Sequence, residues 1–280
     1  MKLNFTKMHG CGNDYIYFNC FNQEITNPKA LSIRLSDRHF GIGGDGIVMI
    51  CPSDIADAKM RMFNADGSEG KMCGNATRCV GKYMYDHGMI SKPEMTLETL
   101  SGIKLLKMVA ENGEIVSVTV DMGKAILKPE EIPTKFTGET AIAVPLTMDN
   151  KEYTVTCVSM GNPHCVVFMN DDVNTLDLPS IGPSFEKHEM FPERINTEFI
   201  HVIDDHTLQM RVWERGSGET WACGTGACAA AVAAVLNGFC PKGEDITIHL
   251  RGGDLSIRYT DEAVFLSGSA TTVFDGSVDA

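Results

Sequence analysis

What this chain lacks narrows its class first. No run among its 280 residues approaches the roughly 20 consecutive apolar residues of a membrane span, and Met1 to Gly10 holds no apolar leader segment. It has no basic run either. With 24 basic against 37 acidic side chains the net charge is −13, so neither nucleic acid nor a membrane is expected as a partner. There is no Cys-x-x-Cys, and the spacings Cys73 to Cys79 and Cys223 to Cys228 match zinc patterns poorly. Gly41-Ile42-Gly43-Gly44-Asp45-Gly46 is glycine-rich, but it leads into a strand and no Gly-Lys-Ser/Thr follows, which argues against a phosphate loop. Ten cysteines in so long a chain are too sparse for a disulfide scaffold, and the expectation is reduced thiols in the cytoplasm. A polar small molecule is the natural partner.

What is present is organised around two stretches that echo one another. Phe63-Asn64-Ala65-Asp66-Gly67-Ser68-Glu69 leads to Cys73-Gly74-Asn75, and Trp213-Glu214-Arg215-Gly216-Ser217-Gly218-Glu219 leads to Cys223-Gly224-Thr225. Cys223 minus Cys73 is 150, and the same shift lays Met60-Arg61-Met62 on Met210-Arg211-Val212, Glu69 on Glu219 and Gly88 on Gly238. A shift of 149 pairs Gly12-Asn13 with Gly161-Asn162, each opening an apolar run. The shared offset marks an internal repeat with one cysteine per half. In each half a glycine-rich polar loop delivers that cysteine to the mouth of a helical pattern. There the free backbone N–H groups and the helix dipole favour a thiolate and can also cradle a carboxylate.

Patterning places strands at Lys2 to Met8, Tyr15 to Phe18, Ile47 to Ile50, Ala58 to Phe63, Met95 to Leu100, Ile103 to Val109 and Ile115 to Val120. Helices are expected over Ala30 to Arg38 and from Asn75 to about His87, the second ended by Gly88 in a left-handed conformation. Lys124 to Thr140 reads as an irregular connection. The second half replays the order with strands at Tyr153 to Val158, Cys165 to Phe168, Thr197 to Ile203 and Gln209 to Trp213. Leu176 to Glu189 is expected to be helical only in part, interrupted by Pro179 and Pro183, whereas Ala227 to Leu236 is apolar all round and should be a surrounded helix. The repeat predicts an α/β fold of two pseudo-symmetric halves, each a mixed β-sheet wrapped around one central α-helix. The expected division gives residues 1–120 to the half carrying Cys73, with the tail 269–280 packing on it, and residues 121–268 to the half carrying Cys223.

For any single cysteine, burial as a small apolar residue is the ordinary role, and it is kept for Cys20, Cys51, Cys157, Cys165, Cys228 and Cys240. Cys11 stays open. Cys73 and Cys223 differ, because they occupy equivalent helix starts. Asn13 and Asn162 are either turn formers or side-chain amides aimed at a ligand. His164, two residues beyond Asn162, is either a turn stabiliser or an imidazole that sets the protonation of a nearby thiol. Glu214 is a surface acid at a strand end or, since the repeat puts Asn64 in its place, part of a shared pocket.

Together these marks closely resemble the diaminopimelate epimerase family, cofactor-independent amino-acid epimerases of lysine and peptidoglycan biosynthesis. The resemblance spans essentially the whole chain and rests on His9-Gly10-Cys11-Gly12-Asn13-Asp14, Asp37-Arg38, Asn64-Ala65-Asp66-Gly67-Ser68-Glu69, Met72-Cys73-Gly74-Asn75, Gly161-Asn162-Pro163-His164, Glu214-Arg215-Gly216 and Ala222-Cys223-Gly224-Thr225-Gly226. It implies a cleft between two halves, with Cys73 and Cys223 as the catalytic pair interconverting LL- and meso-diaminopimelate. It further implies that His164 and Glu214 tune the thiols, and that Asn13, Asn64, Asn162, Asn196, Glu214 and Arg215 contact substrate. The helix starts at Gly74-Asn75 and Gly224-Thr225 would bind the reacting carboxylate, and neither cofactor nor metal is expected. Many members of the family carry glutamine where this chain has Gly46, which leaves one contact to the distal end of the substrate in question. A thiol-based redox or metal-binding protein is the competing reading, and a proline racemase or phenazine-type isomerase of the same fold a further one. Monomer and homodimer both stay open.

Overall fold

The computed structural model describes residues 2–279. Through Asp121 the chain makes β1 (Lys2–Gly10), β2 (Asn13–Asn19), α1 (Pro28–Ser36), β3 (Gly46–Cys51), β4 (Ala58–Asn64), β5 (Glu69–Gly70), α2 (Gly74–Asp86), β6 (Glu94–Thr99), β7 (Gly102–Glu111) and β8 (Glu114–Asp121). It continues through β9 (Val144–Met148), β10 (Lys151–Ser159), β11 (Pro163–Met169), α3 (Leu178–Glu186), β12 (Asn196–Asp204), β13 (Thr207–Glu214) and β14 (Gly218–Thr220). Then come α4 (Gly224–Leu236), β15 (Asp245–Leu250), β16 (Gly253–Tyr259), β17 (Val264–Gly268) and β18 (Thr271–Asp279). Strands dominate this mixed α/β fold. Among the described residues no helix is long and apolar enough to cross a membrane.

Two compact units divide the chain. The first runs to Asp121 and takes back the residues from Ser267 onward; the second is Met122–Leu266. In the first, β18 pairs antiparallel with β1, β1 with β2, and β2 runs parallel to β3. The ladder goes on antiparallel from β3 to β4, parallel from β4 to β6, and antiparallel through β7 to β8. In the second, β9, β10 and β11 are antiparallel, β11 runs parallel to β12, β12 antiparallel to β13, β13 parallel to β15, and β15 antiparallel to β16. Both units thus use the same crossovers. A helix connects each parallel pair, α1 and α2 in one unit and α3 and α4 in the other, as parallel strands require.

The helices form for legible reasons. Asn27 caps α1 by accepting from the Ala30 amide at 3.1 Å, with Pro28 in the first turn, where its missing N–H costs nothing. α2 ends with the His87 amide on the Tyr83 carbonyl and Gly88 at φ +65°, the left-handed stop expected of it. α4 is built of Ala, Val and Cys and is buried over nearly its whole length, with β10, β11, β12, β15 and β16 packed around it. α2 packs against β1, β2, β7 and β8. Each unit also holds a second, shorter helix, α1 over β3 and β4, and α3 over β12, β13 and β14. Under α1 lie Ile16, Phe18, Ile47, Met49 and Phe63, and in the second unit Phe185 of α3 packs on Phe199 in a cluster that includes Val167 and Cys165.

Two expectations need correction. α3 is continuous across Pro183, because Pro179 opens the helix and the span is too short for the lost hydrogen bond to break it. The loops before the two cysteines are partly hairpins: β5 folds back on β4 and β14 on β13, runs too short for alternation to reveal.

Candidate active site

In the first unit the site is built at the N-terminus of α2. Cys73 is the N-cap residue, with extended backbone (φ −137°, ψ 121°), no side chain caps the helix, and no acidic residue occupies its first turn. Those first amides therefore suit an added carboxylate. Cys73 Sγ donates to Asn13 Oδ1 at 3.3 Å, and Asn75 Nδ2 donates to the same oxygen at 3.3 Å. The orientation of the Asn13 amide follows from its other end. Nδ2 donates to Asp45 Oδ2 at 2.7 Å, and a carboxylate can only accept, so Oδ1 is turned to the thiol. Asp45 is itself held by Arg38 at 3.0 Å, which also pairs with Asp14 at 2.8 Å; Lys7 reaches Asp14 at 2.6 Å. Burial alone would raise the Asp14 carboxyl, but Arg38 and Lys7 hold it below its ordinary value. Asn64 donates to Ser68 Oγ at 3.0 Å within the turn that β5 closes.

In the second unit Cys223 caps α4 in a similar conformation (φ −121°, ψ 109°), and its sulfur accepts from the Gly226 amide at 3.4 Å. A chain of hydrogen bonds leads away from it. Sγ lies 3.5 Å from Thr225 Oγ1, Asn162 Nδ2 donates to that oxygen at 3.3 Å, and His164 Nε2 meets Asn162 Oδ1 at 3.1 Å. His164 Nδ1 ends the chain on Glu198 Oε1 at 2.7 Å, both side chains being fully buried. With Asn162 Oδ1 accepting, Nε2 carries a proton, so a further proton is shared between Nδ1 and the carboxylate. Glu214 accepts a short hydrogen bond from Thr220 Oγ1. Burial raises its carboxyl above the ordinary value, and burial followed by the charges of Glu214 and Glu198 pushes the Cys223 thiol well up.

Asn196 and Arg215, also singled out in the sequence, bond to neighbouring loops of this unit. Asn196 Nδ2 donates to the Pro163 carbonyl at 2.7 Å while its Oδ1 accepts from the Arg215 amide at 2.9 Å, so it braces two loops. Arg215 is exposed, with one guanidinium nitrogen on the Glu193 carbonyl at 3.0 Å. Glu219, the nearest acid after it in sequence, is held by Arg211 and Arg251. In the first unit Gly46 is buried, and a Cβ there would lie 2.0 Å from the Phe63 carbonyl oxygen. No glutamine fits that position on this backbone.

Glu198 is the functional residue that sequence reading misses. Its repeat partner at a shift of 150 is Val48, so the offset gives no hint. A signal does exist: Glu198 alternates with Asn196 and Ile200 on one face of the buried first half of β12, and an acid at such a position needs a partner. Room for it comes from Gly226, where a Cβ would approach Glu198 Oε1 to 2.6 Å and Cys223 Sγ to 3.2 Å; in α2 the matching residue is Ala76.

With this geometry described, comparison with known proteins is informative. The sequence model of the family described as diaminopimelate epimerase matches residues 5–128 and 156–273. The diaminopimelate epimerase of Acetivibrio thermocellus is 54% identical over 279 residues, covering 99% of both chains. That of Methanococcus maripaludis is 54% identical, covering 99% of this chain and 100% of its own, and that of Bacillus cereus 50%, covering 98% and 96%. Among solved structures, a hydroxyproline epimerase from Agrobacterium vitis superposes with a TM-score of 0.71 at 16% identity, covering 99% of this chain and 91% of that one. A phenazine biosynthesis protein of Bacillus anthracis gives 0.71 at 16% identity over all of both chains. At such identities the structural likeness concerns the fold alone.

Proposed function

This chain belongs to the diaminopimelate epimerase family, and from that membership we infer that it interconverts LL- and meso-diaminopimelate by passing the α-proton between two thiols, Cys73 and Cys223. The reaction serves the synthesis of lysine and of peptidoglycan precursors, in the cytoplasm. Inverting an α-carbon means removing its proton from one face and returning a proton to the other, which takes two acid–base groups. A repeat that sets one cysteine at the start of each of two equivalent helices supplies two such groups, and this is the observation that carries the mechanism. Each thiol acts as base in one direction and as acid in the other; burial, and then the charges of Glu214 and Glu198, push the Cys223 thiol well up.

As the C–H bond breaks, the electron pair spreads into the α-carboxylate. Fixed N–H donors at Gly74-Asn75 and Gly224-Thr225 meet that charge without reorganising, which is where preorganised dipoles contribute most. Asn13 and Asn75 orient the Cys73 side; Asn162, Thr225 and His164 orient the Cys223 side. Arg215, whose planar fork is largely uncommitted, is assigned to the distal carboxylate, with Asn64, Asn196 and Glu214 sharing the distal ammonium and the remaining contacts.

Site-directed change of the cysteines tests this reading. Cys73→Ala and Cys223→Ala should each abolish epimerisation of LL-diaminopimelate. Cys165→Ala, altering a buried cysteine opposite Cys157, should keep its activity and lose on the order of 1 kcal/mol of stability. Near-normal turnover in either of the first two variants would exclude a pair of thiol acid–base groups.

A further inference from the structure

A second pair of cysteines stands apart from the residues assigned to the reaction. Cys51 ends β3, and Cys20 directly follows β2. These strands run parallel with Asn19 opposite Ile50, and the Cys20 amide donates to the Ile50 carbonyl at 2.8 Å, so the ladder continues and sets Cys20 beside Cys51. Neighbouring strands lie about 4.8 Å apart, inside the roughly 4.4–6.8 Å Cα separation that a disulfide accepts. Both side chains project to the face that carries Ile16, Phe18, Ile47 and Met49, and both pack at the rim of that cluster. Cys20 Sγ donates to the Phe18 carbonyl at 3.7 Å, and both residues are half-buried, open to small solutes.

The surroundings favour a thiolate on one of the two. Lys59 stands opposite Cys51 on β4, with Arg61 two residues further along the same face. The neighbouring Cys20 thiol, and then Arg61 and Lys59 as cations, bring the Cys51 thiol below its ordinary value, while Cys51 and burial push Cys20 up. The attacking thiol is thus already distinguished.

We propose that Cys20 and Cys51 form a redox-active thiol pair that closes to a disulfide on reaction with a peroxide. In the first step the Cys51 thiolate attacks one oxygen of hydrogen peroxide: an S–O bond forms, the O–O bond breaks, and the departing hydroxide takes a proton to leave as water. Cys20 then attacks the Cys51 sulfur. An S–S bond forms, the S–O bond breaks, and the second hydroxide leaves as water with the Cys20 proton. Two thiols give up two electrons and two protons, and one peroxide becomes two waters. The pair lies at the end of β2 opposite to Asn13, about 20 Å away at strand rise, so its closure leaves the thiol of Cys73 unmodified.

The test uses the full chain carrying Cys73→Ala and Cys223→Ala, treated with one equivalent of hydrogen peroxide, blocked with N-ethylmaleimide and mapped by non-reducing proteolysis and mass spectrometry. The expected product lacks two hydrogens, yields a linked peptide joining Cys20 to Cys51, and returns to two thiols with dithiothreitol. Adding Cys51→Ser should remove the linked peptide. The same peptide is sought in the wild-type chain, so that a poorly folded variant cannot hide it, and there the pair should close while at least half of the epimerase activity survives. Recovery of both residues as maleimide adducts would overturn the proposal. So would oxidation confined to other cysteines, or Cys51 found as a sulfinic acid beside an intact Cys20 thiol.

Discussion

Glu198 shows how much a single buried carboxylate can decide. Its Oε1 meets His164 at 2.7 Å, its Oε2 has no hydrogen-bond partner, and the side chain is fully buried against Gly226 and Cys223. An acid so placed is costly unless it shares a proton or pairs with a cation, and His164 is the group that meets this need. The imidazole is thereby fixed in ring orientation, and with it Asn162, Thr225 and the face of Cys223. Glu198→Gln keeps the shape and removes the charge. It should lower kcat/KM by roughly 10- to 100-fold, the scale of one hydrogen bond to a charged group, and lower the pH of the alkaline limb of the rate profile, since one of the anions that raises the Cys223 thiol is gone. Unchanged activity and an unchanged profile would make Glu198 a packing residue. The thiols were legible because they recur at a shift of 150, Asn13 and Asn162 because they recur at 149, and His164 because it follows Asn162 in that repeated loop. Glu198 was not, since it occurs in one half only and its meaning depends on a glycine nearly thirty residues away in sequence.

At the scale of elements, the repeat is carried by ion pairs as well as by cysteines. Arg61 holds Glu69 across β4 and β5 at 2.7 Å, and Arg211 holds Glu219 across β13 and β14 at 2.8 Å, so each short hairpin is fastened just before its helix starts. The identities at those positions were readable at the level of sequence; the hairpins were not, because two or three paired residues carry no period. Elsewhere a histidine joins elements in a pH-dependent way. His206, in the turn between β12 and β13, contacts Asp205 and, just before β15, Glu244, each at 2.8 Å. Glu244 and then Asp205 raise its pKa from 6.5 to about 9. A raised value means that the contribution is complete below about 6.5, declines as the unfolded chain releases its proton first, and is gone above about 9. The site is exposed and the effect modest. His206→Gln should therefore lower Tm slightly at about pH 6 and leave it unchanged at about pH 10. A difference in Tm that persists at the higher pH would mean that His206 acts by packing instead.

At the scale of the whole molecule, two units repeat one order of strands and helices, and each delivers a cysteine to a helix start. That architecture was largely legible, since hydrophobic alternation and a shared offset identify strands and halves without any detail of packing. The shorter helix of the first unit was read from its spacing, and that of the second unit was harder. In α3 the two prolines pointed to an interruption, yet one of them opens the helix and the other is tolerated in a span of nine residues. In the proposed mechanism the chemistry rests on the pairing of the thiols, and isotope exchange reads that pairing directly. If one thiol removes the proton and the other returns one, LL-diaminopimelate turned over in deuterium oxide should give meso product carrying solvent deuterium at the inverted α-carbon from the first turnovers, while the recovered substrate remains protonated there. Deuterium appearing equally in recovered substrate and product would mean that one group serves both faces, and would contradict the account.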